Sequence, residues 1–194
     1  MLGRYKDRVA RLSDPVARVL LGARLRPNQL TVFGLCCSGF ATVAFAADRP
    51  RLGGVFLALA GALDILDGAL ARASGQVSPF GAFLDSVLDR YSDILVLGGI
   101  IFLFVGEGRR LEVVAGLAAL VGTVMVSYTR ARAESVGVDC RVGFMERGER
   151  MVVLIAGGLL DLLAPAIWVV AAGANVTAIH RIAHTWRATR RIYR

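Results

Sequence analysis

DILDGALARASGQVSPFGAFLDSVLD, residues 64–89, places four aspartates within apolar helical sequence. Asp64 and Asp67 stand three residues apart and Asp85 and Asp89 four apart, so each pair shares one face of a helix. Between them Ser74-Gly75-Gln76-Val77-Ser78-Pro79 reads as a turn, which lets two antiparallel helices aim both pairs into one cavity. A lone charged aspartate at the centre of a bilayer helix costs roughly 2.5–3.5 kcal/mol even on lenient insertion scales. Four together repel and protonate unless positive charge sits among them. Carboxylate oxygens suit Mg²⁺, Mn²⁺ or Ca²⁺, so the stretch reads as a metal site. Nearby in sequence only Arg72 and Arg90 offer compensation, too little for a purely structural ion-pair network.

Outward from the hairpin the chain is apolar and basic at once. Its 194 residues, one domain's worth, are 56% hydrophobic with a net charge of +8. Apolar runs separated by polar turns account for both. Pro27 to Ala47 is uncharged and long enough to span a bilayer. The reading continues with a second span from Leu52 to Arg72, a third from Pro79 to Val105, and a fourth from Val113 to Thr129. A basic connector over residues 130–150 precedes a fifth run, Met151 to Leu163, broken near Pro165, and a sixth, Ala166 to Ile179. The fold expected is all-α and integral to the membrane. It comprises six transmembrane helices (residues 27–194) behind an N-terminal juxtamembrane amphipathic helix (residues 1–26), in which Leu2, Tyr5, Val9, Leu12, Val16 and Val19 form an apolar stripe among basic residues.

Alternate connectors hold 18 Lys and Arg on one side against 4 on the other, with Arg90 inside a span. Both termini are therefore expected in the cytoplasm, in a multi-pass cell-membrane protein. The acid pairs then meet about 10–20 Å below the cytoplasmic surface, given the rise per helical residue. Because the basic excess follows the sides of the membrane, a pI near 10.4 does not point to a nucleic-acid partner. Three cysteines, Cys36, Cys37 and Cys140, make no zinc spacing or disulfide framework. His180 and His184 lack a third soft ligand and read as a basic helix end.

Small residues (Gly61, Ala62, Gly68, Ala69, Ala71, Gly81, Ala82) flank the acids and allow close helix approach. Arg72, one turn from Gly68, suits a phosphate, and Ser78 adds a hydroxyl. The residues alone thus read as metal plus phosphate. The arrangement Asp64-x2-Asp67-Gly68-x2-Ala71-Arg72-x8-Gly81-x3-Asp85-x3-Asp89 resembles the signature of the CDP-alcohol phosphotransferases at all eight positions. That family displaces CMP from a CDP-linked lipid by an acceptor alcohol. The resemblance implies that Asp64, Asp67, Asp85 and Asp89 hold two ions of Mg²⁺ or Mn²⁺ and that Asp89 is also the general base. It places Asn28, Gln29, Leu30, Thr31, Gly68, Arg72 and Ser78 on the CDP-lipid.

A second resemblance narrows the acceptor. Ser127-Tyr-Thr-Arg130-Ala-Arg-Ala-Glu134, Phe144-Met-Glu-Arg147-Gly-Glu-Arg150 and Arg181 are similar to the branch that makes phosphatidylinositol phosphate or archaetidylinositol phosphate. It implies that Ser127, Arg130, Arg147, Arg150 and Arg181 surround the phosphate of inositol phosphate. The donor expected is CDP-diacylglycerol or CDP-archaeol, and the assembly a homodimer. Two alternatives stand beside it: phosphatidylglycerophosphate synthesis from glycerol 3-phosphate, and a divalent-cation transporter with a carboxylate site in the membrane. Asp93 lies outside the signature and either contacts acceptor hydroxyls or pairs with Arg90.

Overall fold

The computed structural model describes residues 27–192, and within them every regular element is a helix. The expected amphipathic helix over residues 1–26 lies outside the described residues. The helices are α1 (Pro27–Ala46), α2 (Pro50–Ala73), α3 (Pro79–Gly106), α4 (Arg110–Ser135), α5 (Arg147–Leu159) and α6 (Leu163–Ile192). The first three each begin at a proline, which lacks only an N–H that a first turn leaves unbonded anyway. Ser78 caps α3 by accepting a hydrogen bond from the Gly81 N–H at 3.0 Å. Gly75, with φ +67°, supplies the left-handed residue that turns the chain between α2 and α3.

Three expectations on element bounds need correction. The fourth helix continues through Arg130 and Arg132 to Ser135, so the connector is shorter, residues 136–146. Hydropathy ends at Thr129, but Arg and Ala sustain a helix in water as well as in lipid. The break near Pro165 falls earlier, where Asp161 takes φ +62°; Pro165 sits in the first turn of α6, where its missing N–H costs nothing. The Arg-rich tail is a continuous extension of α6.

The main packing contacts close a ring in the order α1, α2, α5, α6, α4, α3 and back to α1. The two acid-bearing helices, consecutive in sequence, are thus separated by α1 on one side, and the acids look into the space the ring encloses. Phe45, Leu57, Val96, Ile100, Phe104, Ile167 and Val170 fill that space beyond the acids. On the outside, Leu111, Val114, Leu117, Val121, Val124 and Tyr128 recur every three or four residues along α4 and are all exposed. Phe40, Val43, Phe83, Phe102 and Ile179 add to this outer apolar surface. An apolar coat of this extent is foreign to a soluble monomer and natural against lipid. Four helices (α1, α2, α4 and α6) are long and apolar enough to cross a membrane. α3 has the length but carries Asp85, Asp89, Arg90 and Asp93, and α5 has 13 residues.

One close approach positions the site. A Cβ on Gly54 would lie 2.9 Å from the Leu159 nitrogen, and one on Gly158 would lie 2.8 Å from the Pro50 carbonyl oxygen. Side chains at either place would push α5 away from α2. Their absence lets the start of α5, which carries Arg147 and Arg150, reach the acids.

Candidate active site

Asp64 and Asp67 project from the last turns of α2, and Asp85 and Asp89 from the first turns of α3. Oxygens of Asp64, Asp67 and Asp85 all lie within 4.8 Å of one another. Asp67 accepts a hydrogen bond from the Thr31 hydroxyl of α1 at 2.8 Å, which fixes one oxygen and orients the other. The Oδ1 of Asp85 is buried and has no hydrogen-bond partner among the described residues. A buried, unpartnered carboxylate oxygen beside two other carboxylates is the donor set a hard divalent cation requires, so the residues present fit the metal that the sequence implies. Asp89 stands one turn further into α3, outside this triad. Its Oδ1 forms an ion pair with Arg147 Nη2 at 2.9 Å.

The expectation that only Arg72 and Arg90 lie near the acids is corrected. Arg147 Nη1 donates to Asp64 Oδ2 at 2.8 Å, so this one guanidinium bridges α2 and α3. Arg150, 2% exposed, donates to Asp93 Oδ2 at 2.7 Å. Asp93 therefore takes Arg150 as its principal partner, with Arg90 at 3.8 Å and Arg147 Nε at 3.9 Å. Both new cations come from α5, more than fifty residues away in sequence. The Glu-Arg-Gly-Glu-Arg spacing puts Arg147 and Arg150 on one helix face, and the second resemblance placed them at the acceptor phosphate, but neither announced them as partners of the acids.

Two cavities open on either side of the acid row. The first, about 360 Å³, is lined by Asn28, Thr31, Asp67, Gly68, Arg72, Ser78, Gly81 and Asp85 among others. Its volume lies within the range of small-molecule sites, roughly 300–1,000 Å³. A Cβ on Gly68 would lie 3.4 Å from Arg72 Nη1, so the guanidinium passes over that glycine as its position one turn away predicts. Gln29 faces an adjoining opening beside Asn28 and Ser78. Leu30, expected with its neighbours on the CDP-lipid, turns into the core and does not line either space.

The second cavity, about 720 Å³, is lined by Asp89, Arg90, Ser127, Arg130, Arg147, Arg150 and Arg181, with Glu134 and Glu146 at its edge. Here all five residues expected around the acceptor phosphate come together from α4, α5 and α6. Their states differ. Arg130 is half exposed and pairs with Glu134 at 3.0 Å. Arg181 is buried and already bonded to Val142 O at 2.8 Å, Val126 O at 2.6 Å and Glu146 Oε1 at 2.9 Å. Between the cavities, Asp64, Asp67, Asp89, Arg147 and the hydrogen-bonded pair Ser38 and Ser92 form a narrow polar partition. The molecule thus offers one small-residue cavity ending at Asp67 and Asp85 of the triad and one arginine-rich cavity that reaches Asp89.

A family model described as CDP-alcohol phosphatidyltransferase matches residues 24–182. The chain is 38% identical over 194 aligned residues to the archaetidylinositol phosphate synthase of Methanothermobacter thermautotrophicus, covering 96% of this chain and 95% of the relative. The fold is similar to that of the Mycobacterium tuberculosis phosphatidylinositol phosphate synthase crystallised with CDP-DAG bound, with a TM-score of 0.83, 32% identity, and coverage of 91% of this chain and 94% of that one. The same mycobacterial enzyme in complex with manganese and citrate superposes with a TM-score of 0.84 at 31% identity, covering 90% of this chain and 88% of that one.

Proposed function

Because the chain belongs to the CDP-alcohol phosphatidyltransferase family, we propose that it joins the lipid phosphoryl group of CDP-diacylglycerol or CDP-archaeol to inositol 1-phosphate and releases CMP. It is a multi-pass membrane transferase of phospholipid synthesis that works with Mg²⁺ or Mn²⁺. The observation that carries the choice of acceptor is the arginine-rich cavity meeting the acid row at Asp89. A phosphate is the acceptor group that a cavity lined by this many guanidinium groups complements.

Asp64, Asp67 and Asp85 would hold the divalent ions, with Asp89 completing a two-ion set. When bound, the ions neutralise the diphosphate and the charge that develops on departing CMP. The protein's residues do the rest. Thr31 holds Asp67, and Arg72, Gly68 and Ser78 seat the nucleotide phosphates beside the triad, with Asn28 and Gln29 over them. Ser127, Arg130, Arg147, Arg150 and Arg181 seat the acceptor phosphate. The acceptor hydroxyl then points at Asp89, whose Oδ1 is engaged by Arg147 and whose Oδ2 remains to take the proton. The acceptor oxygen bonds to the lipid-side phosphorus as the bond from that phosphorus to the CMP oxygen breaks. The lipid tails stay in the bilayer throughout, so the reacting head group is presented at fixed depth.

The six helices would all span, with both termini in the cytoplasm and the site open to that side. Supporting this are the 18-to-4 division of basic residues, the even number of helices, and the ring in which α3 and α5 turn their charges inward. The homodimer rests on the family resemblance, and the mass of the detergent-solubilised protein tests it. The deciding experiment mixes purified protein, CDP-diacylglycerol, Mg²⁺ or Mn²⁺ and either inositol phosphate or glycerol 3-phosphate. The expected result is CMP release and a phosphoinositide product, with preference for inositol phosphate. Preference for glycerol 3-phosphate would change the acceptor, and absence of CMP release with every phosphorylated polyol would overturn the reading.

A further inference from the structure

Arg90 follows Asp89 on α3 and reaches across to α4, where its Nη1 donates to the hydroxyl of Ser127. Its Nη2 lies 3.8 Å from Asp89 Oδ2 and its Nη1 3.8 Å from Asp93 Oδ2. Among the described residues it is the cation that touches both the acid row and the α4 side of the basic cavity, which it also lines. A serine hydroxyl has one proton and two lone pairs. With a lone pair committed to a guanidinium, the Ser127 proton has to point elsewhere, and the space left to it is the cavity shared with Arg130, Arg147 and Arg150.

We infer that Arg90 is a positioning residue for the acceptor phosphate: it holds Ser127 as an obligate hydrogen donor toward that phosphate and ties this donor to the register of Asp89. The inference rests on the proposed acceptor reading and deepens it. A phosphate oxygen at neutral pH is a charged acceptor, so a serine locked as donor makes a stronger, charge-assisted bond to a phosphorylated polyol than to the neutral hydroxyl of a bare one. The tie to Asp89 sets the distance between phosphate seat and base, and thereby which hydroxyl of the polyol reaches the carboxylate.

Loss of Arg90 leaves Asp93 its 2.7 Å bond to Arg150, so the fold is expected to survive in Arg90→Gln, with thermal unfolding as the check. In turnover assays Arg90→Gln raises KM for inositol phosphate by about tenfold or more, the scale of one charge-assisted hydrogen bond, and leaves KM for the CDP-lipid alone. Ser127→Ala does the same, and the double variant is no worse than either single one. Arg90→Lys fails to rescue, because one ammonium does not serve a hydroxyl and two carboxylates with the fork geometry of arginine. A readout free of turnover uses inorganic phosphate: it raises the unfolding temperature of the wild type, and the rise shrinks equally in Arg90→Gln and Ser127→Ala. Additive effects of the two substitutions, full rescue by lysine, or an undiminished phosphate shift in Arg90→Gln overturns the inference. If phosphate stabilises the wild type but no phosphorylated polyol supports CMP release, it is the functional reading that fails.

Discussion

Replacing Arg181 by methionine removes three hydrogen bonds at a stroke. The guanidinium is 2% exposed and links α6 to Val126 O of α4, to Val142 O of the connector and to Glu146 at the entry to α5. The Glu146 pair has one half-exposed partner and adds little. Val126 O also accepts from the Thr129 hydroxyl at 3.2 Å, so it is not orphaned. Val142 O has no such second partner among the described residues. A charge-assisted hydrogen bond contributes about 1.5–3 kcal/mol, and two backbone acceptors, one of them insured, give a loss of about 3 kcal/mol. For a domain of this size that is a fall of about 6–12 °C in unfolding temperature. Fluorescence-detected unfolding in mild detergent measures it. Arg181→Lys is the discriminating variant: it keeps the charge but reaches one acceptor at most, so it also unfolds early. If lysine restores wild-type stability, or if methionine weakens acceptor binding with no loss of stability, then Arg181 acts mainly as a charge on the ligand and the reasoning is refuted.

The other expectations follow the division of the site. Asp89→Asn abolishes CMP release while the protein still binds CDP-lipid, checked by calorimetry; normal turnover would remove Asp89 as the base. Asp85→Asn weakens Mn²⁺ binding by tenfold or more, since an unpartnered carboxylate oxygen is lost, and this is read by titration of the metal without substrate. Gly54→Ala drives a methyl to 2.9 Å from the Leu159 nitrogen and, by displacing α5, lowers both stability and acceptor affinity, with KM for inositol phosphate as the measure.

What the sequence displayed, and what it hid, follows from distance along the chain. The acid hairpin was legible because charge inside an apolar helix is expensive and rare, and because the spacing of each pair fixes its face without knowledge of the fold. Helix starts at Pro27 and Pro79 were legible for the local reason that proline tolerates a first turn, whereas α2 starts at Pro50, ahead of the expected Leu52, because the polar residues Pro50 and Arg51 join the helix without adding to its hydropathy. The ends of α4 and α6 were not, because the hydropathy that marks a span says nothing about a helix that continues into water. The bonds from Arg147 to Asp64 and from Arg150 to Asp93 cross 83 and 57 residues and depend on the glycine contact of α2 with α5. No periodicity within a segment announces a contact of that kind. The same reason hid the inward turn of Leu30: a helix face is fixed by what packs on it, and α1 lies between two helices rather than at an edge.

That contrast has a consequence for specificity. The donor chemistry sits mainly in one contiguous hairpin of 26 residues, 64–89, braced by α1, which packs on both of its helices and supplies Asn28 and Thr31. The acceptor cavity is assembled from four helices, with Arg90 on α3, Ser127 and Arg130 on α4, Arg147 and Arg150 on α5, and Arg181 on α6. A substitution in the hairpin therefore acts on the step all CDP-alcohol chemistry shares, whereas a substitution at Ser127 or Arg130 on α4 acts on the alcohol taken without touching the acids. Arg147 lines the acceptor cavity and pairs with both Asp64 and Asp89. Its position makes the acceptor site sensitive to whether the acids are in register, so the cavity that selects the polyol is complete only when the base that activates it is in place.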